Sequence, residues 1–163
     1  MEIIVVSRRT ISTLWFAFFL AIIVYHGIIF ARPWESEVGA ALVPAAIGYI
    51  LLFMGILSLL VVVNLDLFML SRPRTIRISA SQLPPGTAEK SEEEILAAAK
   101  AAWFSIRFII ICAFAETPGI YALLLALFGG DMLIVNILVG LAYISILYAG
   151  IRLATGWART YLG

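Results

Sequence analysis

The chain has 163 residues, of which 63% are hydrophobic and 13% charged. A soluble domain of that length has no interior large enough to hide so much apolar surface, so the composition points to an integral membrane protein. A formal net charge of +1 gives no field for nucleic acid, and the single cysteine, Cys112, allows neither an intrachain disulfide nor a thiolate metal site.

Residues 1–9 form a short head with Arg8 and Arg9 at its end. The first predicted span covers 10–31 and is too long for the core of a cleavable signal, so it is expected to stay in the protein. Ala17 and Ala21 give it a small-residue contact, and Tyr25 and His26 are placed at its outer, interfacial end. One histidine with no second ligand in sight is not a metal site. A short loop with Trp34, Glu35 and Glu37 leads to a second span over 40–63, with Pro44 in its first turns. Its apolar character runs on to Leu70, so Asn64 and Asp66 are expected on an end that projects into water. Gly48 and Gly55 are seven residues apart, on one side of the helix, and are expected to dock on the third span.

Residues 71–100 are the main polar segment, a loop that opens with Arg72, Arg74 and Arg77. That cluster reads as a cytoplasmic anchor, with a phosphate or headgroup patch as the alternative. Ser91 and Glu94 have the spacing of a capping box, so a helix is predicted to begin there and continue into the third span, 104–128. Gly129-Gly130-Asp131 reads as a tight turn, followed by a fourth span over 132–153.

The third span carries the most informative residues. Glu116 lies near its middle, where an ionised, unpaired carboxylate costs several kcal/mol. A protonated acid that hydrogen-bonds in the bundle interior avoids that cost. Pro118 has no N–H, leaves the Phe114 carbonyl without its helical partner, and predicts a kink. Thr117 and Tyr121 offer hydroxyls nearby, and Tyr143 on the fourth span is the expected same-chain partner at that depth. Ala115, Gly119, Ala122 and Ala126 form a small-residue ridge suited to close helix packing. Arg107 is nine residues before Glu116 and too far along the axis, roughly 13 Å, to pair with it.

The stretch Ala115-Glu116-Thr117-Pro118-Gly119-Ile120-Tyr121, within 113–127, resembles the Glu-bearing helix of the proteolipid (c) subunits of rotary ATP synthases. The resemblance implies reversible binding of a proton or sodium ion at Glu116, with Thr117 and Tyr121 as hydroxyl helpers. As a whole the chain is similar to small four-span membrane proteins with an Ala-Glu-Ser/Thr motif.

Basic residues concentrate in the head, in 71–100 and in the tail, while the other two loops hold only Arg32. The positive-inside rule then places both termini and the long loop in the cytoplasm. The expectation is an all-α, four-helix transmembrane bundle in a prokaryotic cytoplasmic membrane, in contact with lipids and either a homo-oligomer or a subunit of a larger complex. No nucleophile–base pair, phosphate loop or metal-ligand set stands in the sequence, so neither an enzyme nor a cofactor protein is expected. Two roles compete: a structural or accessory subunit in which protonated Glu116 fixes packing, and an oligomeric protein in which Glu116 binds and translocates a proton or cation.

Overall fold

A computed structural model describes residues 8–31, 44–67 and 92–154. The protein is an all-α four-helix bundle: α1 (Arg8–Ala31), α2 (Ala45–Leu65), α3 (Glu92–Leu127) and α4 (Met132–Arg152). Each helix contains a stretch long and apolar enough to cross a membrane, in α3 the part Phe104–Leu127. A helix of 21 residues, as in α2 and α4, is about 31 Å long and matches the hydrocarbon core. The 36-residue α3 runs unbroken from Glu92 through Pro118. Ser91, the arginines 72, 74 and 77, the head 1–7, the loop 32–43 and the tail 155–163 lie outside the described residues.

The α3–α4 hairpin is the centre of the molecule. Leu127 is followed by Gly129 with φ of 75°, a left-handed conformation that favours glycine. The Gly129 and Gly130 N–H groups donate to the Ala126 and Leu125 carbonyls at 3.2 and 2.8 Å, which closes the helix end. Asp131 then caps α4 by accepting from the Leu133 N–H at 2.8 Å.

α1 and α2 each pack on both α3 and α4, while contact between α1 and α2 is slight. Along α2, Gly48 meets Leu125 and Ile134, and Gly55 meets Pro118 and Leu138. That register makes α2 antiparallel to α3 and parallel to α4. Two apolar cores are stacked along the bundle. One, around Ile11, Val62, Phe108 and Leu153, lies at the end where α1 begins. The other, around Ile29, Ala122, Leu125 and Ile134, lies at the hairpin end.

One packing expectation is met in part and one changes. Gly48 and Gly55 do meet the third span, at Leu125 and Pro118 beside the ridge, but Ile134 and Leu138 of α4 lie nearer, so the two glycines dock in the seam between α3 and α4. The ridge itself (Ala115, Gly119, Ala122, Ala126) is buried, and at Gly119 the covering side chains are Ala142 of α4 and Ile22 and Tyr25 of α1. On α1, Ala17 is exposed, and the helix packs instead through Ile11, Trp15, Ile22, Tyr25 and Ile29. Those positions are spaced by four, seven, three and four residues and so make one stripe along the helix.

Candidate functional site

Glu116 lies twelve residues from Phe104 and eleven from Leu127, at the middle of the membrane stretch of α3. Its partner is on α1. The Tyr25 hydroxyl donates to Glu116 Oε1 at 2.5 Å, and both side chains are half-buried. The Tyr25 ring reaches the acid because Gly119, one turn further along α3, leaves room for it. A Cβ placed on Gly119 would sit 3.5 Å from Tyr25 Cδ2 and 3.4 Å from Ala142 Cβ.

The expected pairing of Glu116 with Tyr143 is therefore replaced. Tyr143 lies instead against His26, its hydroxyl 3.2 Å from His26 Nδ1. It also meets the His26 and Phe19 rings edge-on, at centroid distances of 5.8 and 6.3 Å. Tyr25 and His26 are consecutive, so their side chains leave α1 about 100° apart. One reaches α3 and the other α4, because α1 lies over the seam between them. The placement of both residues at an interface is corrected by the same geometry.

The two other hydroxyls are not gathered at the acid. Thr117 donates to the Ala113 carbonyl of its own helix at 2.9 Å, a local bond common for threonine in helices. Tyr121 is half-buried against the core at the hairpin end. Pro118 is buried and faces Gly55, so it also serves the α2 contact. Tyr143 packs against both apolar cores. The Tyr25–Glu116 and His26–Tyr143 pairs thus form a polar layer across α1, α3 and α4.

A second polar cluster was not anticipated. Asp66, expected at a water-exposed end, is 0% exposed. It accepts from the Tyr148 hydroxyl at 2.5 Å, from Arg152 Nε at 2.6 Å and from Arg152 Nη2 at 3.2 Å. The two nitrogens meet the two carboxylate oxygens side by side, the strongest arrangement for this pair of groups. The Arg152 side chain keeps 34% of its surface exposed. The cluster clamps the end of α2 to the end of α4.

Sequence spacing carried a signal for both missed groups. Tyr25 falls in register on the α1 stripe between Ile22 and Ile29. Asp66 continues the inward face of α2 that runs through Gly55, Ser58 and Val62. Tyr148 and Arg152 are four residues apart and so share one side of α4.

Among the described residues, no three His, Cys, Asp or Glu side chains converge as metal ligands would. Comparison of the chain with protein-family models, with curated proteins and with solved structures finds no match.

Proposed function

We propose that this chain is a structural or accessory subunit of a membrane assembly, in which Glu116 is a neutral hydrogen-bonding acid that ties α1 to the α3–α4 hairpin. The observation that carries the reading is the Tyr25–Glu116 bond of 2.5 Å between helices 91 residues apart in sequence. Membrane helices gain no hydrophobic drive from one another, so interhelical hydrogen bonds and close packing hold them. Each of these bonds is worth about 0.6 kcal/mol on average and up to ~1.7 kcal/mol. The hydroxyls of Thr117 and Tyr143, which an ion site at Glu116 would recruit, are engaged elsewhere. The reading has no enzymatic activity in it. Its partners are lipids and either further copies of the chain or a larger complex. Both termini face the cytoplasm of a prokaryotic cell, on the strength of the basic residues.

A second reading is an oligomeric proton- or cation-translocating protein with Glu116 as the exchangeable site. It is favoured by the half-burial of Glu116, which leaves the acid reachable, and by the proteolipid-like stretch.

Substitution at Glu116 separates the two. Gln retains a donor and an acceptor without titrating. In the structural reading, Glu116→Gln keeps the oligomeric state and melting temperature of the parent in mild detergent. Glu116→Ala and Tyr25→Phe each lose about 1 kcal/mol, because a partner is left unsatisfied. Carbodiimide modification of Glu116 that sodium or high pH slows would reverse the order of the two readings.

A further inference from the structure

A groove opens between the first turns of α1 and the last turn of α4, well away from Glu116. It encloses about 490 Å³ and is lined by Ser12, Trp15, Phe16, Gly150, Leu153 and Ala154. Its floor is fixed. The Trp15 indole N–H donates to the Ile146 carbonyl at 2.9 Å, so the ring presents only apolar surface to the groove. Trp15 also stacks on Phe19 at a centroid distance of 5.4 Å. Gly150 has no side chain to hold the ring off, and a Cβ there would lie 2.7 Å from it.

The groove lies at the membrane boundary. The α1 span begins at Arg9 and the α4 span ends at Arg152. Phe16 is seven residues inside that limit, about 10 Å at 1.5 Å per residue. At the groove's mouth stands a cation. Arg9, Ser12 and Phe16 follow at spacings of three and four and so share one face of α1. Arg9 is exposed, and among the described residues its guanidinium meets no carboxylate. The other nearby guanidinium, that of Arg152, is turned to Asp66.

An apolar furrow about 10 Å deep, with a cation and a hydroxyl at its water-side end, complements an amphiphile with an anionic head. We propose that this groove binds one anionic phospholipid, an acyl chain lying over Trp15 and Gly150 and the phosphate at Arg9 and Ser12. The bilayer supplies that chemistry at that depth. Basic residues near an anionic membrane surface strengthen the hold on its lipids.

The test uses the full chain with Trp34, Trp103 and Trp157 replaced by Phe, which leaves Trp15 as the single indole. The protein is placed in phosphatidylcholine vesicles, and phosphatidylglycerol with brominated chains is titrated in. Expected is quenching of Trp15 at several-fold lower mole fraction than with brominated phosphatidylcholine. Arg9→Gln should reduce that preference about fivefold, the equivalent of ~1 kcal/mol. Ala154→Phe, on the groove wall, should abolish quenching without changing the melting temperature. Native mass spectrometry of the chain with all its tryptophans provides a second readout. Adducts of phosphatidylglycerol should exceed those of phosphatidylcholine, and Ala154→Phe should remove the excess. Equal quenching by both lipids would mean ordinary contact with surrounding lipid and would overturn the site. So would a preference that survives Arg9→Gln, or quenching by neither lipid, as when the groove is filled by protein.

Discussion

Gly119 is the residue on which the polar layer depends. The space above it admits one methyl group at ordinary contact distance, 3.4–3.7 Å from Ala142, Tyr25 and Ile22, and nothing larger. Gly119→Ala is therefore expected to leave the melting temperature unchanged or raise it slightly, since Ala is the better helix former by up to ~1 kcal/mol. Gly119→Leu should cost about 1–3 kcal/mol by overpacking and displace the Tyr25 ring. The check is thermal unfolding of the parent and both variants in one detergent, with Tyr25→Phe added to the Leu variant. Loss of the Tyr25–Glu116 bond by displacement predicts little further effect from that second change. Glu116 was legible in the sequence because a carboxylate stands out in an apolar run. Tyr25 and Asp66 were not, because both fall near the end of an apolar run, where a polar side chain is expected to reach water. Their register on an inward stripe was the better guide.

At the scale of the helices, the Asp66–Arg152 clamp has the largest expected energetic effect. Removing one partner of a buried pair leaves an uncompensated charge and typically costs 3–5 kcal/mol. Arg152→Ala should approach ~3 kcal/mol, since Asp66 loses both guanidinium contacts, while water around the Arg152 side chain, 34% exposed, limits the loss. The paired replacement Asp66→Leu with Arg152→Met should recover part of it, because an apolar pair has no charge to desolvate, while the Tyr148 hydroxyl loses its acceptor. Unfolding of both variants in detergent measures this. Equal destabilisation by the single and double changes would assign the effect to shape alone. The helices themselves were readable from composition, since each needs only about 20 apolar residues. Their mutual faces were less so. A helix that is apolar all round gives little sign of which side meets protein and which meets lipid. Hence the ridge on α3 was identified, while the helices that cover it were not.

For the whole molecule, the alternating directions of the four helices place the start of α1, the end of α2, the start of α3 and the end of α4 at one end of the bundle. The basic residues of the sequence attach to that same end, and with the positive-inside rule they predict which side of the membrane it faces. In a Cys112→Ala background, a cysteine at Ser81 should resist an impermeant thiol reagent in intact cells, while one at Glu35 should react. The reverse pattern would invert the molecule in the membrane.

The slight contact between α1 and α2 has a consequence for biosynthesis. Both helices leave the ribosome before the hairpin on which they pack exists. Until then Tyr25 lacks Glu116, and Asp66 lacks Tyr148 and Arg152. At 5–20 residues per second the wait from Asp66 to Arg152 is on the order of ten seconds. During that time Asp66 and the Tyr25 hydroxyl sit in or beside lipid without the contacts that the hairpin later gives them. A nascent chain halted before α4 is thus a natural client for membrane chaperones and quality-control proteases.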